Sequence, residues 1–386
     1  MNLHRPLVAV FLSQRAISNL KTQQGFFKAD QLVNANRLAG TTLYFFSVDS
    51  VNFRQSKIRG VYFDYTKNVW VEKDFPLPDV FYDRVKTVKS RQMTGEEVRR
   101  RFDQLGIKKI NSRSGFNKWE LYRLFQSDEK LSKHIPETKY YQNVNDLNSM
   151  LERFGKVYLK GCKGSRGKQV LSAAKLPKGG YELRSYVNKI VVSKIHDIHQ
   201  LHKQIWSYLS GKHVIIQQAI DLITLDDCII DFRGELQRNG RNELTITAIP
   251  VRIGKQNSPI STRGTSYKFN YFFKKMMKSS KDEIDSLKNS VKDFLVEIYT
   301  FVEQAYGPFG ELGIDIGLDK TGKLWFIECN AKSAKVSLYN TTSGETLQKA
   351  FLNPLEYAKY ICSNSLFHNA PEPAAQAESL VHVNTG

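Results

Sequence analysis

The chain has 386 residues, of which 41% are hydrophobic, 12% aromatic and 25% charged. This composition excludes a disordered chain, and the length suits one large domain or two to three ordinary ones. Lys and Arg number 57 against 38 Asp and Glu, so the formal charge of +19 predicts an anionic partner. A nucleic acid, a polyanionic surface or a phosphorylated small molecule would each satisfy that charge.

The N-terminus and the cysteines indicate in which cellular compartment the protein resides. The first apolar run, Leu7 to Leu12, is too short for a signal-peptide core or a membrane span and predicts a buried strand. The cysteines are far apart and form no C-x-x-C pair: Cys162, Cys228, Cys329 and Cys362. This pattern is typical of reduced thiols in an intracellular protein and not of a zinc site. We therefore expect a cytoplasmic protein that has no membrane segment.

The N-terminal part of the chain alternates short strands with turns. The strand segments read LVAVFL, TTLYFFSV, RGVYFDY and NVWVEK, and a helix is predicted between Arg15 and Leu38. A second helix, TGEEVRRRFDQLG, is capped by Thr94 and stops at Gly106. These elements predict a small α/β unit.

The middle of the chain begins with the helix KWELYRLF, for which Asn117 is the expected cap. A helix from about Val144 to Phe154 follows, and KVYLKGCKGSRGKQVLSA then predicts a strand, a glycine-rich loop and a second strand. The segment DIHQLHKQIWSYLSG predicts a helix, and HVIIQQAI predicts a strand.

The C-terminal part opens with IDFRGELQRNGRNELTITAIPVRIG, which predicts a hairpin that turns at Asn239 and Gly240. A long helix from about Lys281 to Tyr306 comes next, and NPLEYAKYI predicts a closing helix. The last stretch, NAPEPAAQAESLVHVNTG, is rich in Pro and Ala and has no periodicity, so we expect a mobile tail.

The glycine-rich loop YLKGCKGSRGKQV invites comparison with a Walker A loop but fails it. A P-loop needs G-x-x-x-x-G-K-[ST] opening a helix, whereas Gly161 and Gly167 are one residue too far apart, and Gln169 replaces Ser or Thr. What remains is a β-hairpin flap whose glycines let backbone N–H groups approach phosphates. Lys160 ends the incoming strand, and more positive charge comes from Lys163, Arg166 and Lys168. An ordinary basic hairpin turn is the alternative.

The stretch ELGIDIGLDKTGKLWFIECNAKS predicts two strands joined by a turn at DKTG. On the first strand the even positions are apolar, so Asp315 lies on the opposite face. On the second strand we take the odd positions as the core face: Trp325, Ile327 and Cys329. The other face of that strand then holds Phe326, Glu328 and Asn330.

Only one register class turns both apolar sets toward the core, because a slip of one residue reverses every side chain. That register places Asp315 on the same face as Glu328 and Asn330. Two carboxylates and an amide oxygen suit Mg²⁺, which binds carboxylates together with substrate phosphates. Gly313 and Gly317 would keep the approach open. A solvated outer face with no ligand is the alternative.

In this order the segments resemble the ATP-grasp superfamily, most closely the YheC/YheD family of endospore coat-associated ATP-grasp proteins, and more weakly the RimK-type glutamate ligases. The resemblance covers roughly residues 111 to 361. It is carried by the segments FNKWELYRLF, VYLKGCKGSRGKQV, VIIQQAI, DFRGEL, PVRIG, ELGIDIGLD and WFIECNAK. The resemblance implies an α+β ATP-grasp fold, in which two α+β lobes clamp ATP, preceded by a small N-terminal α/β domain.

The resemblance also implies the domain limits. The N-terminal α/β (pre-ATP-grasp) domain would take residues 1–110, the ATP-grasp domain 111–365 and the mobile tail 366–386. Within the ATP-grasp domain, the flap-bearing lobe would span about 135–220 and the metal-hairpin lobe about 221–365.

ATP and Mg²⁺ are the cofactors that the resemblance implies, and each site residue is carried over by its motif. The nucleotide would be bound by Lys118, Lys160, Gly164, Ser165, Gly167, Lys168, Gln217, Gln218, Ala219 and Ile220. In that set Lys160 reaches the adenine and the α-phosphate, the glycine-rich loop covers the β- and γ-phosphates, and the segment 217–220 reads the base edge through its backbone. The implied magnesium ligands are Asp315, Glu328 and Asn330. Arg233 and Arg252 would face the phosphates or an acyl phosphate as catalytic cations.

The sequence departs from the family pattern in two places. Relatives often carry Ser-Asn and then a double glycine where this chain has STRGTS, so Thr262, Thr265 and Ser266 replace Asn and both glycines. Ser333 stands where a proline is common after the Glu-x-Asn motif. These departures bear on turnover and on the substrate, whereas the Asp-Glu-Asn triad is intact.

The favoured function is an ATP-dependent ligase that joins a carboxylate, through an acyl phosphate, to an amine on an acidic peptide or metabolite. One alternative is a nucleotide-binding structural protein of the spore coat that has lost its ligase activity, with coat proteins as partners. Another is an ATP-grasp kinase. A nucleic-acid binder would explain only the charge, so nucleic acid is not the expected partner.

Overall fold

The computed structural model describes residues 5–85, 88–90, 92–164, 170–186, 190–209, 212–256, 258, 264–339 and 341–364. Within these residues the chain forms three β-sheets that follow one another in sequence. The tail predicted at 366–386 lies outside the described residues, as do Ser165, Gly167, Lys168 and Thr262. Among the helices of the described part, none is long and apolar enough to cross a membrane.

The first sheet is built around parallel strands. Its elements are β1 (Leu7–Phe11), α1 (Gln14–Lys21), α2 (Phe27–Ala39), β2 (Thr42–Phe46), β3 (Val51–Asn52), β4 (Lys57–Asp64), β5 (Val69–Pro76), β6 (Val80–Asp83), α3 (Gly95–Gln104) and β7 (Lys108–Lys109). The strand order is β3-β4-β2-β1-β6-β7, with β5 paired to β4, and β1 is parallel to both β2 and β6. This unit has the α/β character that the sequence predicted. Its parallel strands end at one edge, where β6 ends at Asp83 and Arg84 follows.

The helix predicted between Arg15 and Leu38 is two helices. The chain turns between α1 and α2, where Gln23 and Gly25 have φ angles of 59° and 69°. The Gln23 side chain exchanges two hydrogen bonds of 2.9 Å with the backbone of Trp70. The break is therefore fixed by a left-handed turn and by this contact with β5.

The second sheet is antiparallel and is covered by helices on one face. Its region contains α4 (Lys118–Gln126), β8 (Thr138–Tyr140), α5 (Val144–Phe154), β9 (Lys156–Gly161), β10 (Val170–Lys175), β11 (Tyr181–Tyr186), β12 (Ile190–Ile195), α6 (Ile198–Leu209) and β13 (Val214–Gln218). The strand order is β12-β11-β10-β9-β13-β8. Leu159 of β9 packs in one buried cluster with Leu147 and Leu151 of α5 and with Ile205 of α6. Lys160 lies on the opposite face of β9, which these helices do not cover.

The third sheet lies against a long helix. Its region contains β14 (Thr224–Leu225), β15 (Cys228–Arg238), β16 (Leu244–Ala248), β17 (Val251–Ile253), β18 (Thr265–Tyr267), α7 (Phe269–Tyr271), α8 (Lys281–Tyr306), β19 (Glu311–Leu318), β20 (Leu324–Asn330), α9 (Val336–Tyr339) and α10 (Gly344–Ser363). The strand order is β18-β17-β15-β19-β20. A Cβ on Gly234 would come within 2.5 Å of Leu295, so this glycine lets α8 approach β15 closely.

The closing helix α10 is longer than predicted and returns to the first sheet. Phe351, Leu355 and Ile361 of α10 join the buried cluster formed by β1, α1 and α2. Lys359 donates a hydrogen bond of 3.0 Å to the carbonyl of Ala39, and Lys108 donates one of 2.6 Å to the carbonyl of Ile361. The last helix of the described chain therefore completes the hydrophobic core of the first unit.

Candidate functional site

The second and third sheets meet at the first residue of α4. Asn117 caps this helix by accepting a hydrogen bond from the backbone of Trp119, which fixes where the helix begins. The Lys118 ammonium then lies 3.5 Å from the carboxylate of Glu328 on β20, and it donates a 3.3 Å hydrogen bond to the carbonyl of Gly164 at the start of the glycine-rich loop. Lys118 thus contacts both the loop of one lobe and the acidic hairpin of the other.

Lys160 lies at the end of β9, on the face that the helices leave open. Its ammonium donates a 2.6 Å hydrogen bond to the side-chain oxygen of Gln217, whose amide nitrogen donates to Thr138 at 2.8 Å. Burial lowers the pKa of Lys160 to about 8; the Glu328 carboxylate opposes this fall, and the Lys118 ammonium adds to it. The charge on Lys160 is therefore sensitive to any anion that binds beside it.

We expect nucleotide binding to be accompanied by proton uptake at Lys160. A phosphate placed near its amine would raise a pKa that starts at about 8, so at a pH of about 8.5 roughly half a proton or more should be taken up per nucleotide. Calorimetric binding enthalpies measured with ADP in two buffers of different ionisation enthalpy give this number. Lys160→Arg keeps the positive charge but cannot titrate, so the uptake should shrink. Equal enthalpies in both buffers for the wild type would contradict the prediction.

The acidic hairpin brings three oxygen-bearing side chains to one face. Asp315 on β19 pairs directly with Glu328 on β20, and Gly313 pairs with Asn330. Directly opposed residues of an antiparallel pair share a face, so Asp315, Glu328 and Asn330 lie together. The side chain of Asp315 is 8% exposed and that of Glu328 is 29% exposed.

The route to this arrangement differs from the prediction. The alternation assumed along β20 is wrong because Ile327 is an extra residue, and the pairing shifts between Asp315 and Ile316. Phe326, predicted to share the face of Glu328, is fully buried in the core. Trp325, predicted to face the core, is opposite Gly317 on the face of Asp315. Because Phe326 lies in the core, a regular strand would have put Glu328 there too, and the β-bulge is what places Glu328 on the face of Asp315.

Two arginines bind Asp315 in this structure. Arg233 on β15 is the cross-strand neighbour of Asp315 and donates to both of its carboxylate oxygens, one of them at 2.9 Å. Arg252 on β17 lies 3.1 Å from the same carboxylate and donates to both oxygens of Asp231, at 2.6 and 2.7 Å. Burial alone would raise the pKa of Asp315, but the guanidinium groups of Arg233 and then Arg252 outweigh it and hold the pKa below its usual value. Asp315 is therefore ionised.

The donor chemistry of the hairpin fits a magnesium ion. Glu328 is partly exposed and lies 3.5 Å from Lys118, and Asn330 offers an amide oxygen on the same face. A cation bound here would compete with Arg233 and Arg252 for Asp315. Among the residues that the structure describes, no group of three or more His, Cys, Asp and Glu side chains could hold a metal ion, and the hairpin itself has two carboxylates and an amide. The three predicted ligands thus remain the best candidate in the described chain.

The segment predicted to lie beside adenine, residues 217–220, makes hydrogen bonds within the protein. Gln217 enters the site through its bond to Lys160. The backbone N–H of Gln218 donates to Glu137 at 2.8 Å, and that of Ala219 donates to Lys156 at 3.2 Å. Since both amides are engaged in this conformation, they are not available as donors to a base. Ile220 follows with its carbonyl bonded to the amide of Leu222.

The family departures fall close to the arginines. Ser266 pairs with Arg252, and Thr265 pairs with Ile253, along the edge strand β18. Ser333 is fully buried, and its hydroxyl donates a 2.6 Å hydrogen bond to Glu235. A serine at position 333 thus ties the chain after β20 to β15, a bond that a proline could not make.

A buried ionic network beside the hairpin was missed from the sequence. Glu311, at the start of β19, accepts hydrogen bonds from Arg84 of the first unit and from Lys335. These side chains are only 1%, 8% and 2% exposed, in that order. Glu311 lies on the same face of β19 as Asp315. This shared face is the only feature of the sequence that points to Glu311. Arg84 lies 227 residues away, so nothing local identifies it as the partner.

The sequence of this chain is similar to one protein family and to two Bacillus subtilis proteins. The family model described as "YheC/D like ATP-grasp" matches residues 106–361, which is more than half of the chain. The Bacillus subtilis (strain 168) protein named "Endospore coat-associated protein YheD" is 25% identical over 370 residues, covering 94% of this chain and 80% of that protein. "Endospore coat-associated protein YheC" from the same strain is 22% identical over 316 residues, covering 80% of this chain and 84% of that protein.

Two solved structures show a similar fold at low sequence identity. The ATP-grasp ligase PsnB, complexed with a minimal precursor, superposes with a TM-score of 0.51 and 12% identity, covering 91% of this chain and 100% of that one. D-alanyl-alanine synthetase A from Vibrio cholerae superposes with a TM-score of 0.51 and 13% identity, covering 91% of this chain and 99% of that one. At these identities the likeness concerns the fold alone.

Proposed function

The chain belongs to the YheC/D-like ATP-grasp family, and from that premise we propose that it is an ATP- and Mg²⁺-dependent ligase that joins a carboxylate to an amine. The observation that carries this proposal is the convergence of Lys118, Lys160 and Glu328, which come from α4, β9 and β20. Two ammonium groups and a carboxylate at the junction of two lobes suit a polyphosphate and its cation.

Each residue of the site has a proposed role. Lys118 and Lys160 neutralise the phosphates, with Gly164 and the glycine-rich loop closing over them. Asp315, Glu328 and Asn330 would hold Mg²⁺, which would supply charge neutralisation to the bound phosphates. Arg233 and Arg252, which bind Asp315 in this structure, are the proposed cations that stabilise the charge developing on the transferred phosphoryl group.

The proposed reaction has two displacements. An oxygen of the substrate carboxylate attacks the γ-phosphorus, the bond to the β-phosphate oxygen breaks, and ADP leaves. The lone pair of the amine then attacks the carbonyl carbon of the acyl phosphate, inorganic phosphate leaves with the bonding electrons, and the amine loses a proton. We propose that the substrate is an anionic small molecule or an acidic peptide, since the chain carries a formal charge of +19.

We expect ATP to bind tightly only when Mg²⁺ is present, and Glu328→Gln to lose at least tenfold in that affinity. The substitution keeps the shape of the side chain but removes a charged oxygen ligand. Calorimetry with and without Mg²⁺ measures both effects. Glu152→Gln is the matched control, because Glu152 pairs with Lys175 in an exposed position far from the hairpin in the fold. Failure of the wild-type protein to bind ATP in either condition would overturn the proposal.

A second candidate function rests on the names of the curated relatives, both of which are called endospore coat-associated. The chain would then bind nucleotide in a spore-associated structural role, with coat proteins as partners and no turnover. Release of ADP together with free phosphate in the presence of an acidic peptide and an amine indicates the ligase. Release of ADP with the phosphate retained on a product indicates a kinase, and binding without release indicates the structural role.

A further inference from the structure

Helix α4 contacts the acidic hairpin a second time, one turn after Lys118. Tyr122 is 1% exposed, and its hydroxyl donates a hydrogen bond to the backbone carbonyl of Ile327. Its ring packs edge-on against Phe326, with ring centroids 5.7 Å apart. Residues four apart lie on one face of a helix, so Lys118 and Tyr122 reach β20 side by side.

The carbonyl that Tyr122 holds belongs to the bulge residue. Ile327 has no partner on β19, because Asp315 pairs with Glu328 and Ile316 pairs with Phe326. In the part of the chain that the structure describes, β20 is also the last strand of its sheet, so no neighbouring strand there donates to its outer carbonyls. The Tyr122 hydroxyl supplies the missing donor for Ile327, while His134 makes a 2.7 Å contact with the carbonyl of Leu324 on the same edge.

The bulge decides which face Glu328 occupies. Ile316 on β19 and Phe326 on β20 are opposite each other. If β20 continued regularly after this pair, Ile327 would lie opposite Asp315, and Glu328 would lie opposite Ile314 on the core face. Ile327 already lies on the face of Gly317 and Asp315, so the loss of the bulge would move only the carboxylate, to the core face. A group that stabilises the bulge therefore controls whether the carboxylate joins Asp315.

We propose that the Tyr122 hydroxyl is a positioning group that keeps Glu328 on the face of Asp315 by holding the carbonyl of Ile327. This inference rests on the proposed function, because it concerns a proposed metal ligand. Tyr122 itself would touch neither the nucleotide nor the cation.

The surroundings of Tyr122 suit a permanent donor. Burial raises its pKa far above the usual value; the side chain of Gln217 opposes the rise, and the carboxylates of Glu328 and Asp315 add to it. The hydroxyl therefore keeps its proton at any physiological pH. Gln217 also receives the hydrogen bond from Lys160, so Tyr122 lies between the group that holds Lys160 and the strand that carries Glu328.

The test compares Tyr122→Phe with Tyr299→Phe. Both substitutions keep the ring and remove a buried hydroxyl that donates to a backbone carbonyl. The Tyr122 hydroxyl donates to Ile327, whereas the Tyr299 hydroxyl donates to Phe309, which lies outside the hairpin. Hydrogen exchange without nucleotide should show the amides of Glu328 and Cys329 exchanging at least tenfold faster in Tyr122→Phe and unchanged in Tyr299→Phe. The affinity for ATP with Mg²⁺ should fall about tenfold in Tyr122→Phe only, whereas the affinity for ADP in EDTA should stay within twofold in both variants.

Each outcome decides the inference. If Tyr122→Phe exchanges like the wild type at Glu328 and Cys329, the bulge does not depend on the hydroxyl and the inference is wrong. If both variants lose ATP affinity equally, Tyr122 has a general structural role and the inference is also wrong. If the wild type binds no ATP, the proposed function fails, and the exchange data still decide whether Tyr122 holds the bulge.

Discussion

Glu311→Gln should lower the free energy of unfolding by about 3–5 kcal/mol, the cost of breaking a buried ion pair by removing one partner. Glu311 lies between Arg84 and Lys335, and all three side chains are almost inaccessible to water. Glutamine retains the size of the side chain but removes the carboxylate that bonds both cations, in a medium that solvates them poorly. Denaturant unfolding followed by circular dichroism at neutral pH measures the loss. The matched control is Glu243→Gln, whose pair with Arg241 is 79% and 53% exposed, and no measurable change is expected there.

The Glu311 carboxylate should also make the free energy of unfolding depend on pH. Burial alone would raise the pKa of Glu311, but Arg84 and then Lys335 outweigh it and lower the pKa from 4.5. A carboxylate whose pKa is lower in the folded state contributes stability above its unfolded pKa and loses that contribution as the pH falls through the folded value. Stability measured from neutral pH down to below 4.5 should therefore fall less steeply in Glu311→Gln than in the wild type. An equal slope would show that the carboxylate is not stabilised in the folded protein.

Asp315→Asn should reduce the affinity for ATP with Mg²⁺ by more than about 100-fold. Changes to groups that merely support metal ligands already cost 10–100-fold, and Asp315 is a proposed ligand itself. The substitution also leaves Arg233 facing a neutral amide, so the protein should lose stability at the same time. Calorimetry, together with thermal unfolding of the same samples, separates the two effects.

The control for this experiment is Asp231→Asn. Asp231 is as buried as Asp315 and binds Arg252, which also contacts Asp315, but Asp231 itself is not a proposed metal ligand. This variant should lose stability and keep most of its affinity for ATP with Mg²⁺. If both variants lose nucleotide binding to the same degree as they lose stability, Asp315 acts through folding and its proposed role as a ligand is wrong.

Local signals predicted much of the fold. The caps at Thr94 and Asn117 and the ends of the helices at 144–154 and 281–306 are where the sequence placed them, because capping and helical periodicity act within a few residues. The motifs also identified the YheC/YheD family and the ATP-grasp fold, and both predictions are confirmed. The roles of the site residues and the domain limits stay predictions.

What the sequence could not supply depends on contacts between distant segments. The bulge at Ile327 is invisible to a rule of strict alternation, since it is stabilised by Tyr122, which lies 205 residues earlier. The pairing of Arg84 with Glu311 spans a similar distance. The hairpin β11–β12 was not anticipated, because its exposed face mixes Val192 with Lys194 and gives no clean period. Long-range packing decided each of these features.

Helix α10 has a consequence for the order in which the protein folds during synthesis. Because Phe351, Leu355 and Ile361 complete the core of the first unit, the strands of that unit must wait for a segment that is made long after them. Domains usually fold from the N-terminus as they leave the ribosome, whereas this one closes a loop of several hundred residues. The nascent first unit would meanwhile expose apolar surface around α2, to which chaperones would bind. A stop codon before Gly344 should therefore destabilise the beginning of the protein, although every residue of its first sheet is present.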